Sequence, residues 1–347
     1  MSTEIANITP FDPSNALIAT SESLPPLPAI VHQAGPAAVF AANEFFYGRL
    51  RNPHTRVAYR RAVDRFLAWC EQGGLELARI APGDVGQYFD VLRRNNLSIA
   101  TRKQHLSAIR HFFDGLVTRH AILLNPALSV REERYEVVEG KTPEITVQHA
   151  RKLLNSINVI EKIKRDGVEE EQPCLMGLRD RAMLAILAYT SSRAGATAQL
   201  RRGDFYDTGD QWMLRFTEKG GKSREIPVRH DLRQMIAAYI EAADLRQAPK
   251  DAPLFRPALG NTGKLTARTI HVNDICRMMK RRLAAASLPS RLSPHSFRVA
   301  VITDLLEQGV PLEDVQHLAG HADPRTTRLY DRRQRKVTRN IVERISI

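Results

Sequence analysis

The chain is poor in cysteine: three in 347 residues, Cys70, Cys174 and Cys276, scattered and odd in number. They offer no disulfide framework and no clustered metal site, so a reducing compartment, the cytoplasm, is the expected setting. Long apolar runs are missing too. Nothing approaches the roughly 18 to 20 consecutive apolar residues of a membrane-spanning helix, and no membrane partner is expected. The first residues lack the basic start and apolar core of a signal peptide, so export is not expected. Residues 1–35 also contain no lysine or arginine, and Glu4, Asp12 and Glu22 are their only charges. Rich in Pro, Ser, Thr and Asn, residues 1–36 read as a flexible tail with nothing to hold phosphate.

What remains is ample. At 347 residues, 43% of them hydrophobic, the chain can build two domains with real cores. The 51 Lys+Arg outnumber the 38 Asp+Glu for a net +13 and a pI near 9.9. Such an excess suits a polyanionic partner, although a solvated basic surface alone would produce the same count.

From residue 37 to about 130 the pattern is helical. Asn52-Pro53 opens a helix whose inner face carries Val57, Tyr59, Val63, Phe66, Leu67 and Cys70 and which stops at Gly73-Gly74. A second helix starts at Pro82, and a third is capped by Ser98, with Leu106, Ile109, Phe112, Phe113 and Leu116 facing inward. Arg56, Arg60, Arg102 and Lys103 are assigned to the outer sides as candidate DNA contacts, with a solvated face as the plainer explanation. Residues 131–142, charged and poor in apolar side chains, read as a linker. Helices resume over 147–159 and 179–190, the latter with a core buried all round, and residues 162–172 between them read as a charged surface loop. Two strands joined by Glu218-Lys219-Gly220-Gly221-Lys222 follow as a hairpin, then helices over 231–243 and 266–286. The expected architecture is mainly α with a small antiparallel β-sheet, in two domains: 37–130, and 143–331 followed by a helical tail, 332–347. In that tail Val337, Ile341 and Ile345 make an apolar stripe.

Residues 292–330 concentrate chemistry. His295 and Arg298 are three apart, which puts them on one helix face about a turn apart. Gly309-Val310-Pro311 breaks that helix, a short helix over 312–319 stops at Gly320, His321 follows, and Tyr330 comes nine positions later. For a tyrosine to attack a phosphodiester, fixed cations must meet the charge spreading over the non-bridging oxygens, and a donor must protonate the departing oxygen. Arginine serves best, being permanently charged and able to grip phosphate with two N–H groups. Arg298 is one such guanidinium and Arg193, at the end of a buried helix, the natural second; Lys219 tops the hairpin, and His295 and His321 can donate or move protons near neutrality. With two arginines and a histidine neutralising charge, neither a metal nor another cofactor is required.

These residues and their spacing resemble the tyrosine recombinase (phage integrase) family. Leu318-Ala319-Gly320-His321 with Thr326-Thr327-Arg328-Leu329-Tyr330 resembles its histidine-to-tyrosine segment, and Pro294-His295-Ser296-Phe297-Arg298 its His-x-x-Arg box. Arg179-Asp180-Arg181-Ala182 leading to Tyr189-Thr190-x-x-Arg193 resembles its first arginine box, and the Lys219 hairpin its lysine box. The likeness covers roughly residues 40–347, and four boxes in the right order are far more specific than one. It implies a two-domain clamp on double-stranded DNA, a helical, SAM-like core-binding domain plus a catalytic domain. Tyr330 is then the nucleophile, forming a 3′-phosphotyrosine, with Arg193, Lys219, His295, Arg298 and His321 completing the catalytic set. It also implies a homotetramer on two DNA sites, exchange of the C-terminal helix between neighbours, room for accessory proteins, and service to a mobile element by integration or excision. One departure stands out: Ala196 occupies a position usually acidic in the family. Two other activities fit the same motifs, a type IB topoisomerase-like relaxing enzyme and a DNA-binding regulator that lost catalysis. Covalent adducts separate the second from catalysis, and strand exchange against plasmid relaxation separates the first.

Overall fold

A computed structural model describes residues 25–133, 142–165, 168–217, 221, 223–260 and 262–330. By its contacts the chain divides into two units, Met1–Glu136 and Val137–Ile347.

The first unit is helical. Helices α1 (Ala29–Gln33) and α2 (Pro36–Asn43) lead through a wide turn into α3 (Pro53–Gln72), α4 (Pro82–Arg94) and α5 (Ile99–Thr118). The starts of the two long helices are made by their caps: Asn52 Oδ1 accepts from His54 N at 3.0 Å, and Ser98 Oγ from Thr101 N at 3.2 Å. The core is aromatic, with Phe66 edge-on to Tyr88 at 5.0 Å and to Phe113 at 6.0 Å.

Two expectations are corrected in this unit. The N-terminal tail ends well before residue 36, because α1 is docked: Ile30 and Val31 are 1% and 0% exposed, and Ile30 N donates to Glu71 Oε1 at 2.8 Å. An Ile-Val pair inside a proline-rich composition is enough apolar surface to order a single turn. Second, Arg60 and Arg102 do not lie on the outside. Arg60 is 3% exposed, ion-paired with Asp64 at 2.7 Å, donating to the Pro26 carbonyl at 2.7 Å and lying over the Phe46 ring. Arg102 is 5% exposed and binds Glu132 at 2.9 Å, Glu133 at 3.1 Å and the Leu97 carbonyl at 2.8 Å. Each buried charge meets its carboxylate inside the fold, which is what makes the burial tolerable. Arg56 donates to the Leu50 carbonyl but stays half-buried, and Lys103 lines an open cavity of about 440 Å³ with Arg110, His111, Asp114, Arg131 and Glu132.

The second unit begins with α6 (Val147–Asn155), then a hairpin, β1 (Ile160–Arg165) and β2 (Val168–Pro173), where a loop is expected from the charge run. The strands form because opposite charges alternate across them: Lys162 pairs opposite Glu171 and Lys164 opposite Glu169. Its base is pinned to the next helix. Cys174 N donates to the Val159 carbonyl at 2.9 Å, and a Cβ at Gly177 would sit 1.8 Å from Asn158 O, so no side chain fits there. Helix α7 (Leu175–Thr190) follows, with residues 182–187 fully buried, and leads to α8 (Ala194–Ala198). Near the start of α7, buried Asp180 binds Arg179 and, at 2.7 Å, Arg282.

A three-stranded antiparallel sheet comes next, β3 (Phe205–Asp207), β4 (Trp212–Thr217) and β5 (Ser223–Pro227), ordered β3-β4-β5. The short β3 adds to the two strands expected. Helix α9 (His230–Ala242) precedes α10 (Val272–Ala285), which starts six residues later than the sequence pattern suggests. Ile270 N is drawn into a bond with the Phe255 carbonyl at 3.0 Å, and His271 Nδ1 then caps α10 by accepting from Asn273 N at 3.2 Å. The unit closes with α11 (Pro294–Glu307), α12 (Leu312–Ala319) and α13 (Pro324–Arg328).

Candidate active site

Three segments of the second unit converge. The first is the end of α7. Thr190 is its last residue, and Ser191 turns the chain in the left-handed region at φ 53°, unusual for a residue with a Cβ. That turn aims the Ser191 carbonyl at Arg298, whose Nη1 donates to it at 2.5 Å. The helix C-terminus, a partial negative charge, thereby seats the guanidinium. Two residues on, Arg193 begins α8 and donates from Nη2 to the Gly320 carbonyl at 3.2 Å.

The second segment is the start of α11. His295 and Arg298 are a turn apart, as their spacing requires, yet their environments differ: Arg298 is 1% exposed while His295 opens to solvent. The third segment is α12 with α13. Gly320 stops α12 at φ 62°, and Gln316 then holds His321 by both backbone groups, accepting from its N at 3.1 Å and donating to its O at 3.0 Å. His321 is 8% exposed, with Nδ1 at 2.9 Å from Thr327 Oγ1 on α13. Tyr330 N donates to the Thr327 carbonyl at 3.0 Å, so one short turn sets both rings. They lie parallel within 8°, centroids 6.2 Å apart, and Tyr330 Oη sits 3.3 Å from His295 Nε2.

The electrostatics follow from two cations beside three titratable groups. Burial first, then Arg298 and Arg193, push His321 down to about 3. Burial and the same arginines hold His295 below the ordinary histidine value. Both imidazoles are therefore neutral at physiological pH and act as hydrogen-bonding groups until an anion arrives. Tyr330 moves the other way. Burial raises its pKa, only partly offset by Arg298 and Arg193, so the phenol keeps its proton. An incoming monoanion would favour the protonated form of both imidazoles and would hold the phenol protonated as well.

The geometry thus gathers Arg193, His295, Arg298, His321 and Tyr330. Lys219 lies outside the described residues, between β4 and β5, as do residues 331–347 with the apolar stripe of the tail. His317, the neighbouring histidine, is exposed on α12. Ala196 is 8% exposed and packs in the core; the local order around Arg193 comes from Ser192 Oγ and Thr197 Oγ1, 2.9 Å apart and both buried. Arg224 was not singled out from the sequence, yet it is 8% exposed on β5 and its charge reaches His321. The period-two pattern of β5 was the available signal, for it puts Arg224 on the same inward side as Ile226. Among the described residues no group of three or more His, Cys, Asp or Glu side chains has metal-holding geometry.

Two family models match this chain: the phage integrase family over residues 168–336, and the phage integrase N-terminal SAM-like domain over residues 46–120. Together they cover more than two-thirds of it. The chain belongs to the tyrosine recombinase family. Its activity is accordingly site-specific DNA recombination. The chain is 26% identical over 279 residues to the tyrosine recombinase XerD of Chlorobaculum tepidum, spanning 80% of this chain and 85% of that one. In fold it matches XerH site-specific recombinase bound to palindromic difH substrate in a post-cleavage complex. That match has a TM-score of 0.65 at 18% identity, over 90% of this chain and 86% of the other. It also matches lambda integrase in a tetramer bound to a Holliday junction, TM-score 0.57 at 16% identity, over 90% and 85%. The two matched models fall one in each unit, so the helical unit is the SAM-like one and the unit with the sheet is the integrase one.

Proposed function

We propose that Tyr330 is the nucleophile of this recombinase and that Arg193, Arg298, His295, His321 and Lys219 are its partners on the scissile phosphate. One observation carries the assignment: Tyr330 Oη lies 3.3 Å from His295 Nε2, its ring is parallel to that of His321, and the charges acting on it are those of Arg298 and Arg193, brought together from three separate segments of the chain. The phosphodiester lies between Arg193 and Arg298, which meet its non-bridging oxygens. Tyr330 Oη attacks phosphorus in line as its proton passes to His295 Nε2. The bond from phosphorus to the 5′ oxygen breaks, and that oxygen takes a proton from Lys219, leaving a 3′-phosphotyrosine. His321, neutral and held by Thr327, donates from its free ring nitrogen to a phosphate oxygen. Attack by the 5′ hydroxyl of a partner strand reverses each transfer. One phosphoester replaces another throughout, so neither ATP nor a metal is needed.

The two units close round duplex DNA in this reading, and four copies act on two sites, as the lambda integrase tetramer on a Holliday junction suggests. The work is cytoplasmic, on the DNA of a mobile element, with accessory proteins biasing integration against excision. Among the described residues no helix is long and apolar enough to cross a membrane.

The test is a duplex carrying the inverted repeats that flank the gene, nicked just past the cleavage point so that the broken strand diffuses away. Wild-type protein should accumulate a covalent adduct stable to denaturant, and Tyr330→Phe should yield none. An equal adduct from Tyr330→Phe would remove the tyrosine from the reaction.

A further inference from the structure

The mechanism leaves buried Arg224 unused. Arg224 occupies an inward position of β5, 8% exposed, directly opposite Phe216 of β4, with its guanidinium carbon 5.4 Å from that ring's centroid. Its charge, with those of Arg298 and Arg193, acts on His321. Its other side faces α12. Arg224 and Ile226 of β5 line a cavity of about 250 Å³ with Asp314, His317 and Leu318 of that helix. This is the helix whose glycine stop delivers His321 and whose Gln316 holds both backbone groups of His321.

Around the imidazole stand Arg298 and His295 from α11, Arg193 from the start of α8, Thr327 and Tyr330 from its own segment, and Arg224 from β5. Arg224 acts on His321, whereas the charges that act on Tyr330 are those of Arg298 and Arg193. We infer that Arg224, set across a shared cavity from α12, is a positioning residue of the active site, acting on the reaction through His321, not on the phosphate. The inference rests on the part given to His321 above. With Arg224 in place the imidazole meets DNA neutral, ready to donate a hydrogen bond.

The test compares Arg224→Met and Arg224→Lys. The nitrogen shifts of the His321 ring are followed across the pH range in which the free protein stays folded, and cleavage of the nicked duplex is timed against pH at saturating DNA. For Arg224→Met, His321 should take up its proton at higher pH than in wild type, and the acid limb of cleavage should move up with it. Its cleavage rate should fall about tenfold to a hundredfold, as a displaced group costs, while DNA affinity stays within about threefold. Arg224→Lys should restore the His321 titration and part of the rate, since the charge returns without the planar stack. Wild-type His321 shifts in Arg224→Met overturn the inference, and so does a loss of DNA affinity as large as the loss of rate. Should Arg224→Met fail to fold, Arg224→Gln takes its place with the same two outcomes. The ring measurement needs no DNA, so it decides the point even if the Tyr330→Phe experiment removes the tyrosine from the reaction.

Discussion

Buried arginines occur in both units, and they are used differently. In the helical unit Arg60 and Arg102 each meet a carboxylate at 2.7 and 2.9 Å, and the pair is a closed account of charge. In the second unit Arg298 and Arg193 are seated on main-chain carbonyls, those of Ser191 and Gly320. Their charge stays legible in the neighbours: both histidines are pushed down by it, and the rise of Tyr330 is partly offset by it. A carbonyl orients a guanidinium, and the charge of both arginines acts on the neighbouring rings, whereas Arg60 and Arg102 each have a carboxylate among their partners. The first arrangement suits architecture, and the second suits a site that receives an anion.

The sharpest way to break the comparison is to replace one arginine of each kind by methionine. Arg298→Met should cut cleavage of the nicked duplex about 10²- to 10³-fold, as the loss of one preorganised donor does, with the urea midpoint close to wild type. Arg102→Met should do the opposite. It strands Glu132, 1% exposed, and should cost about 3 kcal/mol of stability in urea unfolding, with cleavage by the folded protein unchanged. Lost stability in the first and lost chemistry in the second would invert the distinction.

Acid gives a smaller test of the same field. His321 titrates near about 3 in the fold and at the ordinary 6.5 when unfolded. As pH falls below 6.5 the unfolded chain takes up a proton that the folded one refuses, so this contribution is whole above 6.5 and drains towards 3. Between about pH 6 and pH 4 wild type should lose on the order of 2 kcal/mol more than His321→Gln. Equal acid sensitivity in urea titrations would show that the histidine is not held neutral. The smallest effect belongs to Lys103, half-buried at an open cavity. Lys103→Ala should reduce the slope of log affinity against log salt by about 1, while Arg60 and Arg102 variants leave it alone.

Local signals explain which features were readable in advance. Asn52, Ser98 and Gly320 each act on backbone groups within a few residues, and the structure uses all three as the sequence implies. The His295–Arg298 spacing and the Gly320–His321 step are local as well, and they hold. What escaped depends on distant partners. The carboxylate that buries Arg102 lies 30 residues on, and the carboxylate that ties down Ile30 lies 41 residues on. The β1–β2 ribbon hid behind its charges because cross-strand pairing, not an apolar face, holds it together. Arg224 escaped for a different reason. The lysine beside it drew attention to the turn, while the alternation along β5 pointed inward one strand position later.

The left-handed turn at Ser191 carries a last consequence, for how this protein can vary. Arg298 is tied to the residue that ends α7, and α7 is the most deeply enclosed helix of its unit, with residues 182–187 all at 0% exposure. A methylene gained or lost among Ala182, Met183, Leu184, Ala185, Ile186 and Leu187 is felt by its neighbours, because a close-packed interior has little slack. A movement of the end of α7 reaches the Arg298 guanidinium through the Ser191 carbonyl. Six side chains that perform no chemistry thereby bear on where a charge of the site sits.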